Sequence, residues 1–113
     1  MIHLTTNTPI LIAIAPADFR QGIDGLAAVC RHKLSVNPRS GTVFVFINRN
    51  KTMVRALSYD GSGFWLMTKR LSKGKFKAWP SSSNTIEPLI AKQLRQLLIN
   101  NDPLWEKQIH VTQ

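Results

Sequence analysis

Between positions 49 and 77 the chain carries Arg49, Lys51, Arg55, Lys69, Arg70, Lys73, Lys75 and Lys77. Only one acid, Asp60, falls among them, so these 29 residues hold a net +7 of the formal +9 of the whole 113-residue chain. Guanidinium and ammonium groups at this density have one obvious chemistry, the neutralisation of phosphates with release of the counterions that surround a nucleic acid. A large net charge otherwise repels itself in the folded state, so a polyanionic partner is its simplest physical use. The eight cations are the candidate nucleic-acid-binding residues. Phe44, Phe46, Tyr59, Phe64, Trp65, Phe76 and Trp79 are interleaved with the charge. Such rings can stack on bases or fill a core, and the alternation along the chain favours core or interface.

Other chemistries find no constellation. Two-metal catalysis needs carboxylates holding ions about 4 Å apart, and the acids are Asp18, Asp24, Asp60, Glu87, Asp102 and Glu106. Asp18 suits a helix N-cap and Asp60 a turn. Asp24 follows Arg20 by four residues, a spacing for an intrahelical ion pair. Glu87 is expected in the first turn of a last helix, where the dipole favours it. Cys30 and His32 lack a second pair at zinc-ligand spacing, and His3 and His110 lie near the ends of the sequence. No glycine-rich phosphate cradle is present; Gly22 and Gly25 read as allowing close packing of a first helix. The expectation is therefore no catalytic site, no metal and no cofactor.

The elements that must position the cations follow from periodicity. Residues 10–15 (ILIAIA) read as a buried strand ended by Pro16. Asp18 and Gln21 fit a capping box, and Ile23, Leu26, Ala27, Cys30 and Leu34 recur at helical spacing, with Arg31, His32 and Lys33 in the last turn. Residues 42–47 (TVFVFI), 53–58 and 64–68 read as strands, and 75–79 as a fourth. With Asp60-Gly61 at a hairpin tip, Leu57 would face Phe64, Ala56 would face Trp65 and Val54 would face Met67, leaving both sides of the pair largely apolar. Pro80 and serines 81–83 would end the sheet. Thr85 would cap a last helix with Ile90, Leu94, Leu97 and Leu98 on one face. The predicted fold is α+β: an N-terminal strand and helix, an antiparallel four-strand meander, and a C-terminal helix packed on the sheet. It forms a single domain over 1–103, with 104–113 a loose tail. In a meander, alternate turns share an end of the sheet, so the 48–52 and 69–75 loops should form one basic edge opposite the Asp60 turn.

Composition narrows the setting. At 43% hydrophobic residues the chain can bury a core without staples. No apolar run approaches the ~20 residues of a membrane span, and the first residues do not read as a signal peptide. A single cysteine permits no internal disulfide and fits a reducing cytosol. The expected location is cytoplasmic, without membrane attachment.

Residues 18–26 (DFRQGIDGL), 41–49 (GTVFVFINR), 59–66 (YDGSGFWL) and 69–80 (KRLSKGKFKAWP) together resemble, in order and approximate spacing, the small second-reading-frame (TnpB-type) accessory protein of the insertion-sequence-sixty-six elements. The resemblance spans roughly residues 9–99. Its pattern falls on Asp18, Arg20, Gly22, Asp24, Gly25 and Leu26, then on Gly41, Phe44, Phe46, Arg49, Arg55, Asp60, Gly61 and Gly63, and on Lys69, Arg70, Leu71, Gly74, Phe76, Trp79 and Pro80. Two departures stand out: Phe76 and Trp79 are separated by two residues where the family usually has one, and Ser58-Tyr59 replaces an aromatic pair. The resemblance implies a non-catalytic accessory of transposition, encoded beside a separate, larger transposase that carries the catalytic acids. The leading expectation is DNA binding through the basic edge, at element ends or along the backbone, in partnership with the transposase of the same element and possible self-association. The alternatives are a protein–protein adaptor without direct DNA contact and a small metal-dependent nuclease. A likeness of residues 39–46 (RSGTVFVF) to the aromatic strand of an RNA-recognition motif adds single-strand stacking as a further possibility.

Overall fold

The computed structural model describes residues 4–99. In chain order the elements are β1 (Ile10–Ala13), α1 (Ile23–His32), β2 (Val43–Ile47), β3 (Met53–Tyr59), β4 (Phe64–Arg70), β5 (Ile86–Leu89) and α2 (Ala91–Leu98). The strands form one mixed sheet in the order β4-β3-β2-β1-β5. β1 runs parallel to β2, joined through the α1 crossover, and every other pairing is antiparallel.

β2 explains the layering. All five of its residues, VFVFI, are buried, as expected of a central strand covered on both faces. Val43, Val45 and Ile47 join Ile10, Ile12 and Val54 beneath Ala91, Leu94 and Leu97 of α2. Phe44 and Phe46 point the other way and join Ala13 and Leu57 beneath Leu26, Ala27 and Cys30 of α1. The period-2 alternation of the strands thus meets one helix on each face, and the fold is α+β.

Several expectations are corrected. Residues 75–79 do not form a strand. Phe76 is buried in the α2-side core, its N–H donates to the Lys51 carbonyl at 2.8 Å, and Trp79 Nε1 donates to the Ala13 carbonyl at 3.1 Å. Each aromatic anchors an irregular segment running past the end of the sheet, so the meander has three strands, β2-β3-β4, rather than four. The missing strand lies beyond Pro80. Residues 86–89 pair with β1 from Ala13↔Ile86 to Ile10↔Leu89, and Pro88 is tolerated because β5 is an edge. Thr85 consequently caps nothing, and its carbonyl accepts from Ile14 N–H at 3.0 Å. α2 begins after Ile90, whose N–H donates to the Gln93 side chain at 3.0 Å. Glu87 sits in β5 and accepts from Ser82 Oγ at 2.8 Å and Asn84 Nδ2 at 2.9 Å, which hold its pKa below the usual carboxylate value.

At the other end, β1 stops at Ala13, and α1 starts at Ile23 with Gly22 as N-cap and no side-chain cap. Asp18 makes its own turn instead, accepting Arg20 N–H at 2.9 Å. Arg20 pairs with Asp18 and lies outside the helix, so the expected Arg20–Asp24 helical pair does not form. A Cβ on Gly25 would collide with the Gln21 side chain, whereas one on Gly22 would meet nothing, so close packing explains only Gly25. The β3–β4 register also differs. Asp60 Oδ1 accepts from Ser62 N–H, Ser62 Oγ and Gly63 N–H, and Asp60 N–H donates to the Gly63 carbonyl, building a four-residue turn with Gly61 at φ 98°. Pairing is therefore Leu57↔Leu66, Ala56↔Met67 and Ser58↔Trp65. The tail 104–113 lies outside the described residues.

Candidate nucleic-acid interface

β1 and β2 both end, and β3 begins, at one end of the sheet, and β4 returns to it at Arg70 opposite Met53. Four segments meet there: residues 14–22, the 48–52 loop, and the 71–79 and 80–85 stretches leading to β5. Main-chain hydrogen bonds tie them. Ala17 N–H donates to the Ile47 carbonyl at 2.8 Å, Leu71 N–H to the Thr52 carbonyl at 3.0 Å, and Phe76 N–H to the Lys51 carbonyl. The 48–52 and 69–75 loops therefore share an end, and the Asp60 turn lies at the opposite one.

The 48–52 loop is organised by Asn48. Its Oδ1 accepts from Thr52 N–H at 2.9 Å and Met53 N–H at 3.1 Å, and its Nδ2 donates to Thr52 Oγ1 at 3.0 Å. This closure holds Lys51 at φ 60°, a left-handed conformation unusual for a lysine. It leaves Arg49 and Lys51 exposed at the loop tip. In the neighbouring segment, Lys75 and Lys77 are exposed on either side of buried Phe76. Arg70 and Lys73 are exposed as well. The rim thus gathers Arg49, Lys51, Arg70, Lys73, Lys75 and Lys77, and the structure adds Arg20, which sequence spacing assigned to a helix.

Arg55 and Lys69, among the eight sequence-derived cations, are engaged in holding the fold. Arg55 is half-buried on the α1 side of β3. Its Nη1 donates to the carbonyls of Phe19 at 2.8 Å and Gln21 at 3.1 Å, its Nε donates to Thr68 Oγ1 at 3.2 Å, and its guanidinium lies 4.8 Å from the Phe19 ring centroid. It fastens the segment before α1 to the sheet. Lys69 is exposed, and its Nζ donates to the Leu98 carbonyl at 2.7 Å, satisfying the C-terminal end of α2.

Asp18 and Glu87 lie at this end, with Asp24 in the first turn of α1 close behind the 14–22 segment. Asp18 is engaged by Arg20, Nη2 to Oδ2 at 2.7 Å, and that contact, helped by the Arg20 N–H, lowers its pKa to about 2. Arg49 contributes a weaker attraction to the same carboxylate. Arg49 also borders a cleft of about 500 Å³ lined by Asp18, Phe19, Arg20, Asn48, Asn50 and Arg55. Glu87 is satisfied by its own serine and asparagine donors. Among the described residues no group of three histidine, cysteine or acidic side chains comes together.

The rings sort differently from the cations. Phe44, Phe46 and Phe76 are buried and cannot offer a face to a base. Tyr59 and Phe64 pack edge to face at 5.0 Å. Trp65 is 43% exposed, its Nε1 donating to Asp60 Oδ2 at 2.8 Å, but it lies on β4 near the Asp60 turn. The aromatic strand 42–47 is thus a core element, and the likeness of residues 39–46 to an RNA-recognition strand does not extend to exposed rings. Cys30 is fully buried and its thiol is pushed up to about 11 by that burial, the behaviour of a core residue rather than a nucleophile.

The family model described as IS66 Orf2 like protein matches residues 8–107. The chain belongs to this family. Membership associates it with insertion-sequence transposition. The chain is similar to two curated proteins of Sinorhizobium fredii. Uncharacterized protein y4hO is 35% identical over 102 residues, covering 90% of this chain and 88% of that protein. Uncharacterized protein y4jC is 40% identical over 76 residues, covering 67% and 65%. No solved structure matches the chain. Neither the family description nor either relative's name indicates a catalytic activity. Among the described residues no helix is long and apolar enough to cross a membrane. Within the family pattern, Asp60, Gly61, Phe76, Trp79 and Arg55 build turns and anchors, whereas Arg49 and Arg70 are exposed cations at the rim.

Proposed function

We propose that this IS66 Orf2-like protein is a non-catalytic accessory of transposition that holds DNA through the basic rim while a separate transposase does the chemistry. The observation that carries the reading is the convergence of two loops. Main-chain hydrogen bonds from Leu71 and Phe76 to Thr52 and Lys51 bring Arg49 and Lys51 beside Arg70, Lys73, Lys75 and Lys77. Six cations on a hydrogen-bonded frame suit the regularly spaced phosphates of a duplex backbone. Burial of Phe44, Phe46 and Phe76 argues against base stacking at that end, so duplex rather than single strand is the favoured ligand. Phosphate contacts of this kind position a protein without reading sequence.

The second reading is an adaptor that binds the transposase alone, its charge serving only to speed encounter with DNA-bound partners. Gel shift with labelled terminal-repeat duplex and a scrambled duplex, at about 50 mM salt where electrostatic contacts remain strong, separates the two. Both duplexes should be retained, and charge reversal at Arg49 and Lys73 should abolish that retention. Absence of any shift by the wild-type protein would leave the adaptor. Nicking of the same duplexes in the presence of magnesium would instead support a nuclease.

A further inference from the structure

β4 is the last strand of the sheet on one side, and of the features within a strand that usually blunt an edge it carries only the charges of Lys69 and Arg70 at one end. It is seven residues long, contains no proline, and pairs without a bulge from Met53↔Arg70 to Tyr59↔Phe64. The opposite edge, β5, has four residues with Pro88 among them. Edges of β4's kind are templates for another strand unless something covers them.

The unused hydrogen-bonding groups can be assigned. Asp60 N–H bonds the Gly63 carbonyl and Leu71 N–H bonds the Thr52 carbonyl, and both pairs lie on the β3–β4 ladder. Antiparallel strands bond their neighbour at every second residue. The odd positions 63–71 therefore face β3, and the N–H and C=O groups of Phe64, Leu66, Thr68 and Arg70 point away from the sheet. On the α2 side of this strand Trp65 and Met67 are 43% and 46% exposed. Beside them is an apolar cleft of about 230 Å³ lined by Leu4, Ala56, Met67, Leu94 and Leu98.

We propose that β4 pairs antiparallel with β4 of a second copy of this chain, about a two-fold axis at Met67. The sequence FWLMTKR is self-complementary in that register. Phe64 stands opposite Arg70 of the second copy, Trp65 opposite Lys69, Leu66 opposite Thr68, and Met67 opposite Met67. The outward-facing even residues bond one another, and each cation meets an aromatic ring on its own side of the sheet, an attractive pairing. Like charges stay about four residues apart, roughly 14 Å along the strand. Centring on Thr68 would bring the two Lys69 side chains within two positions of each other. Centring on Leu66 would leave Lys69 and Arg70 beyond the end of the partner strand. Only the Met67 register uses all seven residues. It also brings the two Met67 side chains and the two apolar clefts together on one side. The proposal does not depend on DNA binding; because the axis reverses strand direction, the dimer's two basic rims would face opposite ways.

The test uses the full chain without DNA. Sedimentation equilibrium over a concentration series should show a species of twice the 12.7 kDa chain mass. Thr68→Pro removes an outward N–H together with the Thr68 Oγ1 acceptor of Arg55 Nε, and leaves the main-chain ladder to β3 intact. Met67→Lys places two like charges on the axis. Either substitution should weaken self-association at least tenfold while circular dichroism retains the wild-type spectrum. Should either fail to fold, the register is read from cysteines. At a non-hydrogen-bonded pair the two Cα atoms lie about 4.5 Å apart, within disulfide range, so Met67→Cys should cross-link to itself on mild oxidation and Trp65→Cys should not. Leu66 and Thr68 amides should gain hydrogen-exchange protection as concentration rises. A wild-type chain monomeric to about 200 µM overturns the proposal, whether those amides exchange freely or are protected by some other cover. Equal cross-linking at 65 and 67, or wild-type association in both substituted proteins, overturns it as well.

Discussion

Arg55 offers the sharpest separation between a cation that holds the fold and one that holds a ligand. Replacing it by methionine keeps the stem and removes the guanidinium, along with two bonds to main-chain carbonyls, one to Thr68 Oγ1 and the contact with the Phe19 ring. Hydrogen bonds involving a charged group contribute ~1.5–3 kcal/mol each, and a cation over a ring adds ~0.5–1 kcal/mol at a site open to water. The low ends of these ranges sum to about 5 kcal/mol, and because Arg55 is half-buried water can reach the vacated carbonyls and offset roughly half of that, so the total loss should be about 2–4 kcal/mol. For a domain of this size each kcal/mol moves the melting temperature by ~4–8 °C, which puts the Arg55→Met midpoint at least ~8 °C below wild type by circular dichroism. A double-mutant cycle with Phe19→Leu should show that the two effects do not add. At a permissive temperature the salt dependence of DNA affinity should be unchanged. A melt within ~2 °C of wild type, accompanied by a salt slope shallower by about one, would refute the reasoning and return Arg55 to the DNA-contacting set.

Lys51 should behave oppositely. Its φ of 60° costs an L-residue ~1–2 kcal/mol, so Lys51→Gly should leave thermal stability equal or higher by up to ~1 kcal/mol while weakening DNA binding in gel shift. Asp18 has a folded-state pKa near 2 against an ordinary 3.8, so its ionised form adds stability that is complete above about pH 4 and lost as pH falls through about 2. Carboxyl NMR titration should place its midpoint there, and Arg20→Ala should move it back toward 3.8. Cys30, buried with a thiol pushed up to about 11, should resist a disulfide-exchange reagent at pH 8 in the native protein and react at once in denaturant.

What could be read from the sequence was the part governed by local periodicity. VFVFI announces a buried strand, the apolar stripe from Ile23 to Cys30 announces a helix, and the density of cations from 49 to 77 announces a charged rim. Longer-range choices decided the rest. Residues 75–79 alternate like a strand, with Phe76 in and its lysines out, yet Phe76 N–H is drawn to the Lys51 carbonyl of the 48–52 loop and the segment joins no strand of the sheet. IEPL carries a proline and looks like the approach to a helix, yet the open side of β1 takes it as an edge strand. Asp60-Gly61 suggested the tightest hairpin, and three donors converging on Asp60 Oδ1 lengthened the turn and shifted the register by two. Arg55 and Lys69 look like their basic neighbours until the Phe19, Gln21 and Leu98 carbonyls that engage them are in view. Arg20, read as a helical ion-pair partner, emerges as an exposed cation beside Arg49 because α1 starts three residues later.

The central claim is that phosphates are held by the cations at one end of the sheet, and the salt dependence of duplex affinity tests it most directly. With about six contacts, log affinity should fall against log salt with a slope near −5, and Arg49→Glu/Lys51→Glu should make the slope shallower by about two. Lys92→Glu/Arg95→Glu, an equal charge change on the exposed side of α2, should leave the slope near the wild-type value. Equal loss of slope from both double substitutions would contradict a localised rim, and a flat salt dependence in the wild-type protein would contradict phosphate binding altogether.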